Sequence, residues 1–190
     1  MSTDNITTSK VRRNGHGAIG QHSREADDFY PTPRPMTDAL LSVESVGSVV
    51  WEPACGDGAI SKACIARGSR VISTDLVDRG YGVPRIDFLM ERDARAPTII
   101  TNPPFKLWLK FAEHALTLAS EKVILFGRLA ILEGKNRGRF YRDQPPARVW
   151  VHSSRTKWDF KDFGKQTGMI AFCWIVWERG SKGTQLGWLP

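Results

Sequence analysis

The apolar positions of this chain fall into short runs separated by polar, glycine-rich or proline-rich joints. Ser48-Val49-Val50-Trp51, Arg70-Val71-Ile72-Ser73-Thr74, Ile86-Asp87-Phe88-Leu89, Thr98–Thr101, Lys122-Val123-Ile124-Leu125-Phe126, Arg148–His152 and Met169–Trp177 are rich in β-branched and aromatic residues. Each reads as a strand. Between them, Thr37–Leu41 and Ala59–Arg67 read as helices, the second stopped by Gly68. Lys106–Ser120 carries apolar residues at 107, 111, 115, 116 and 118, the spacing of an amphipathic helix. Strands alternate with helices early on, and the last two runs lack an evident helix between them. This order predicts an α/β fold: a mostly parallel seven-stranded sheet with helices on both faces and an antiparallel last strand. Residues 1–28 are polar and read as a loosely attached tail, residues 29–180 as one domain, and residues 181–190 as a second tail.

One joint organises the rest. The run Thr98-Ile99-Ile100-Thr101 leads directly into Asn102-Pro103-Pro104-Phe105. Two successive prolines cannot continue a central strand, because neither supplies the N–H that the ladder needs. The chain must therefore leave the sheet at Asn102, at the carboxyl end of the strand, where open α/β sheets place their ligands. An amide side chain, rigid backbone carbonyls and an aromatic ring are thereby gathered in four residues. Phe105 suits either stacking on a planar ligand or packing in the core.

The formal charge is +7, and its placement matters more than its size. Residues 128–165 hold ten Lys/Arg against four Asp/Glu, so +6 of the excess lies there. The segment fits a polyanion-facing surface, or a merely solvated face. Within it, Lys135, Arg137 and Arg139 follow the fifth strand, and Arg155, Lys157, Trp158 and Lys161 follow the sixth, mixing cations with an aromatic ring. That mixture suits backbone neutralisation and base stacking. Cys55, Cys64 and Cys173 match neither a paired disulfide framework nor a zinc-binding spacing, which favours a reducing, cytoplasmic setting. No apolar run reaches the roughly 20 residues of a membrane span.

After the first strand comes Glu52-Pro53-Ala54-Cys55-Gly56-Asp57-Gly58. The loop has Ser61 where a dinucleotide fingerprint has its third glycine, and no Gly-Lys-Ser/Thr follows. Asp57 would repel a phosphate. Asp75 ends the second strand, placed for a ribose diol. Asp87 would meet an exocyclic amine from the third strand, and Glu52 an ammonium group. Singly, each carboxylate reads equally well as a cap or a surface charge. Together they describe S-adenosylmethionine.

These residues carry a resemblance. Glu52–Gly58 resembles motif I of the class I methyltransferases and Asn102–Phe105 their motif IV, while Phe29-Tyr30-Pro31-Thr32-Pro33 resembles the motif X segment that covers the methionine moiety. The order X, I, IV is similar to that of gamma-type amino-methyltransferases, above all small phage and prophage DNA adenine-N6 methyltransferases. Gly168–Gly180 resembles their last strand. The resemblance implies the Rossmann-like class I methyltransferase fold and S-adenosylmethionine as cofactor, leaving S-adenosylhomocysteine, with no metal. The cofactor would be held by Tyr30, Pro31 and Thr32, by Glu52, Pro53, Ala54, Cys55, Gly56, Asp57 and Gly58, by Asp75 and Leu76, by Asp87 and Phe88, and by Asn102.

The resemblance implies transfer to a conjugated amine. Asn102, Pro103, Pro104 and Phe105 would do this by positioning the amine and stacking the base. The expected partner is nucleic acid, DNA foremost, with short or relaxed specificity since no separate target-recognition domain is evident. RNA adenine, a protein glutamine amide, and a silent nucleic-acid-binding module with this fold stand as alternatives.

Overall fold

A computed structural model of the chain describes residues 29–153 and 170–190; the tail expected at 1–28 lies outside them. Among the described residues there are four α-helices, α1 (Arg34–Val43), α2 (Ala59–Ala66), α3 (Trp108–Leu118) and α4 (Lys135–Asp143). The strands are β1 (Val49–Glu52), β2 (Arg70–Ser73), β3 (Thr98–Thr101), β4 (Lys122–Arg128), β5 (Arg148–His152), β6 (Phe172–Glu178) and β7 (Gln185–Leu189). They form one sheet in the order β2-β1-β3-β4-β6-β5-β7. β6 runs antiparallel to both β4 and β5, and the remaining neighbours pair in parallel.

Alternation along the strands divides the core into two layers. Trp51, Ile99, Val123, Leu125 and Ile175 face α3, where Trp108, Phe111, Ala112 and Ala115 are buried. Val50, Ile100, Ile124, Trp174 and Val176 face the other way, against Met36 and Leu40 of α1 and Ile60, Ala63 and Cys64 of α2. Helices thus cover both faces, as the near-continuous apolar runs of a parallel sheet require. β3 is buried along its whole length between β1 and β4. The carboxyl ends of β1, β2, β3 and β4 lie along one edge of the sheet. No helix among the described residues is long and apolar enough to cross a membrane.

Two expectations are corrected, and one element is added. The third strand expected at Ile86–Leu89 is a turn of 3-10 helix, Phe88–Met90. The Asp87 carboxylate accepts the Leu89 N–H at 3.0 Å, and this local bond turns the backbone out of a strand conformation. The edge of β2 instead gains a single bridge between Thr74 and Val83. Second, residues 181–190 are not merely a tail, because β7 lies there and adds a parallel edge strand beyond β5. Gly187 allows it, since a Cβ there would come within 2.1 Å of the Trp150 ring. The antiparallel strand β6 is therefore not the last. The added element, α4, occupies basic residues with no helical pattern of their own, burying only Phe140 among its nine residues.

At the amino edge of the sheet, the buried Glu44 carboxylate closes a charge cluster. Arg148 Nε and Nη2 donate to it, Lys122 Nζ lies at 3.2 Å, and Trp150 Nε1 donates at 2.8 Å. Arg148 and Lys122 also reach Glu178, at 2.6 and 3.2 Å. The Arg148 hydrogen bond holds Glu178 below the ordinary carboxylate range. One acid following α1 thus ties that helix to β4 and β5. Glu44→Gln would leave two half-screened cations facing a neutral amide. A loss of about 2–3 kcal/mol is expected in urea denaturation at pH 7, below the usual cost of breaking a fully buried pair because Glu178 remains. A midpoint equal to that of the parent would show that solvent screens the cluster.

Candidate active site

The edge formed by the carboxyl ends of β1 to β4 holds a cavity of about 570 Å³, within the roughly 300–1,000 Å³ typical of small-molecule sites. Its floor is the loop after β1. Gly56 and Gly58 have φ of 55° and 80°, in the left-handed region that favours glycine. A Cβ on Gly56 would lie 2.3 Å from the Phe29 ring, and one on Gly58 2.4 Å from the Tyr81 ring. Phe29 and Tyr81 therefore sit directly on the glycine backbone. Arg79 lies 4.1 Å from the Phe29 ring centre and Lys62 Nζ 5.0 Å from that of Tyr81. Phe29, together with Arg79 and Tyr81 from the segment after β2, roofs the loop.

Two carboxylates organise this floor. Asp75 Oδ2 accepts the Gly56 N–H at 2.8 Å and Oδ1 accepts the Val77 N–H at 2.9 Å. The residue expected to meet a diol thus also pins the glycine loop to the end of β2. Glu52 is 1% exposed. Its Oε2 accepts the Ser61 N–H at 2.8 Å and the Ser61 hydroxyl, whose oxygen lies 2.6 Å from Ser73 Oγ. Burial raises Glu52 from 4.5 to about 8, outweighing the hydrogen bonds from Ser61, and Asp57 and Asp75 add to the rise. No cation lies among these partners.

At the far wall, the exit from β3 is built as the prolines dictate. Asn102 Nδ2 donates to the Tyr30 carbonyl at 2.9 Å, and Asn102 Oδ1 is buried with no hydrogen-bond partner. The Phe105 ring is stacked with that of Tyr30, centroids 5.6 Å apart at 24°. The Arg128 guanidinium, from the end of β4, lies 4.5 Å from the Phe105 ring centre. Thr32 Oγ1 is also buried without a partner and lines the same cavity.

The structure gathers most residues singled out in the sequence. Tyr30, Pro31, Thr32, Glu52, Pro53, Ala54, Cys55, Gly56, Asp57, Asp75, Leu76, Asp87, Phe88, Asn102, Pro104 and Phe105 all line this cavity. Gly58, the N-cap of α2, and Pro103 adjoin lining residues without being among them. Asp87 reaches the cavity from a turn rather than a strand end. Phe29, from the segment likened to motif X, also lines it, as do Val77, Arg79, Ile86 and Lys106, which were not anticipated. Gly82 beside Tyr81 was an available signal for the roof, since a Cβ there would lie 2.7 Å from the Ser73 carbonyl oxygen.

Lys135 and Arg139 are exposed on α4, but the Arg137 guanidinium is engaged, donating to the carbonyls of Glu133 and Ala130 at 2.7 and 3.3 Å. Arg155, Lys157, Trp158 and Lys161 lie outside the described residues. Cys55, Cys64 and Cys173 are buried free thiols, each pushed up to about 12 chiefly by burial.

No protein-family profile matches the chain, and no curated protein matches it. Solved structures do. The type I restriction enzyme EcoKI M protein is similar over 80% of this chain and 44% of its own, at 15% identity and a TM-score of 0.54. A candidate RNA methyltransferase from Pyrococcus horikoshii is similar over 76% of this chain and 80% of its own, at 15% identity and 0.56. Magnesium protoporphyrin IX methyltransferase from Synechocystis PCC 6803, solved with bound S-adenosylmethionine, is similar over 76% and 79%, at 15% identity and 0.52. A modification subunit of a candidate type I restriction enzyme from Vibrio vulnificus is similar too, and the chain spans 46% of its length. The fold is the Rossmann-like fold of class I S-adenosylmethionine-dependent methyltransferases.

The residues present suit that cofactor. The buried Thr32 hydroxyl has no partner, the glycine backbone is closely approached, and Glu52 is a buried acid with no cation beside it. The same acid gives a pH signature. Its folded pKa lies above its unfolded value, so its contribution to stability is full below about pH 4.5 and is lost as pH rises through about 8. Glu52→Gln holds a neutral group of similar shape. Its Tm relative to the parent is expected to rise by at least about 3 °C between pH 5 and pH 8.5. A difference that does not change with pH would mean that Glu52 is ionised throughout.

Proposed function

We propose that this chain transfers a methyl group from S-adenosylmethionine to the exocyclic N6 amine of adenine in DNA. One observation carries the reading: the buried, unpartnered Asn102 Oδ1 on a cavity wall shared with the Phe105 ring. An unsatisfied buried acceptor costs free energy, and such a group is retained where a ligand completes it. A conjugated amine is a donor of the right kind.

When bound, the cofactor supplies an electrophilic methyl group on sulfur. Everything else falls to the chain. Thr32 and Glu52 hold the amino-acid end, and the Asp75-pinned glycine loop approaches the rest. Asn102 Oδ1 and the Pro103 carbonyl each accept one N–H of the target amine. This draws the nitrogen towards tetrahedral geometry and frees its lone pair for in-line attack. The new nitrogen–carbon bond forms as the carbon–sulfur electron pair passes to sulfur, leaving S-adenosylhomocysteine. The surplus proton leaves to water, because an amide oxygen and a backbone carbonyl are too weakly basic to keep it. Phe105 stacks the extruded base, offsetting part of the few kcal/mol that unstacking costs. A cysteine nucleophile is disfavoured, since all three thiols are held protonated by burial. Positioning and fixed dipoles supply the acceleration.

The basic residues on α4, with Lys135 and Arg139 exposed, favour nucleic acid over a protein amide. Labelled S-adenosylmethionine offered with unmethylated duplex DNA, single-stranded DNA and RNA is the test, with products hydrolysed and read by mass spectrometry. N6-methyladenine in DNA is expected, and Asn102→Ala should lower kcat by about 10²–10³, the usual cost of removing one aligned polar group. Label in RNA alone would move the substrate, and cofactor binding without transfer would mark a silent module.

A further inference from the structure

Tyr30 reaches both groups that the proposed reaction would bring against its target. Its main-chain carbonyl accepts from Asn102 Nδ2, and its ring lies on the Phe105 ring. All three residues line the one cavity.

The carbonyl contact fixes which way round the Asn102 amide lies. A carbonyl oxygen accepts but cannot donate. Turning the amide over would set Oδ1 against the Tyr30 oxygen, two acceptors with no hydrogen between them. Only one orientation is therefore stable, and in it Oδ1 is left unpartnered as the acceptor. The ring contact is a second and separate constraint. The centroids stand 5.6 Å apart at an interplanar angle of 24°. A planar base between two such rings needs two contact steps of about 3.5 Å each, or about 7 Å in all. The present pair is stacked on itself, so admitting a base means parting the two rings by about one further contact step of about 3.5 Å. Tyr30 belongs to no helix or strand, and its ring and its carbonyl make separate contacts, so the base would enter by the ring turning about its side-chain torsions while the carbonyl stays on Asn102.

We propose that Tyr30, which the sequence placed with the cofactor, belongs to the target-base site: its carbonyl positions Asn102, and its ring and that of Phe105 form the two walls of a slot for a planar heterocycle bearing an exocyclic amine. This rests on the reading of Asn102 and Phe105 given above. The ligand-free pair is the closed form of the slot, with the Tyr30 ring occupying part of the space the base takes. Substrate and cofactor are then read by different parts of one short segment, Thr32 on the cofactor side and Tyr30 on the target side.

The test separates the two ligands. Tyr30→Ala and Tyr30→Trp are compared with the parent by calorimetry with S-adenosylmethionine, and by steady-state methylation of bulk unmethylated DNA. For Tyr30→Ala, an increase of about tenfold in KM for DNA is expected, the size of one lost stacking partner. The cofactor Kd should change less than about twofold, and Tyr30→Trp should recover most of the DNA affinity. A weakened cofactor Kd with an unchanged KM for DNA would overturn the proposal and return the ring to the cofactor. A second readout is independent of transfer: the fluorescence of a single-stranded oligothymidylate carrying one 2-aminopurine, with S-adenosylhomocysteine present. If the parent transfers no methyl group to nucleic acid but perturbs this probe, and Tyr30→Ala abolishes the effect, the function proposed above fails while the slot stands. If the parent leaves the probe unperturbed, the slot is refuted whatever the methylation result.

Discussion

Two adjacent peptide nitrogens without hydrogen set the layout of this molecule. Pro103 and Pro104 follow the most deeply enclosed strand of the sheet, where every backbone N–H would otherwise have to pair. The ladder therefore stops at one level, and the chain turns into α3 at once. Because β1 and β3 are parallel neighbours, β1 ends beside that exit, and its own departure at Glu52 opens the glycine loop against Asn102. A single constraint on hydrogen bonding thus sets the glycine loop and the Asn102 exit side by side. The Trp108 indole reinforces the arrangement from the first turn of α3, donating to the Phe126 carbonyl of β4 at 2.8 Å. The exit turn is held on the neighbouring strand as well as its own.

What the sequence made legible follows from which forces are local. The apolar runs of β1 to β6 and the amphipathic spacing of α3 are patterns of burial, and burial is what the fold enforces. The exit at Asn102 was equally legible, because proline chemistry acts whatever the surroundings. The turn at Phe88–Met90 was not, since a single Asp87 side-chain bond outweighed a strand-like composition. β7 and α4 were hidden for a related reason. Each buries little of itself, β7 through Leu189 and α4 through Phe140, and each depends on a partner elsewhere in the chain. Gly187 reads as a weak strand residue until the Trp150 ring is seen to fill its place. At the site, the floor and far wall were readable as motifs, but the roof of Phe29, Arg79 and Tyr81 consists of tertiary contacts on glycine, which no periodicity announces.

The two edges of the sheet treat buried carboxylates in opposite ways. At the amino edge, Glu44 is surrounded by Arg148, Lys122 and the Trp150 N–H, so its charge is matched where it lies. At the carboxyl edge, Glu52 is more deeply buried but receives only the neutral donors of Ser61. Two carboxylates nearby, Asp57 and Asp75, make ionisation harder still. A group this poorly compensated is a cost in the isolated chain, and it is not needed to anchor α2, which a neutral hydrogen-bonding side chain would hold as well. It becomes favourable only when a positive charge comes into the cavity, whose arrival would lower the Glu52 pKa and convert the cost into attraction. Asn102 Oδ1 on the opposite wall is incomplete in the complementary sense, an acceptor that lacks a neutral donor. One wall thus asks for a cation and the other for an N–H. A ligand pair that satisfies both, a sulfonium-bearing amino acid on one side and a conjugated amine on the other, is the pair between which methyl transfer is proposed.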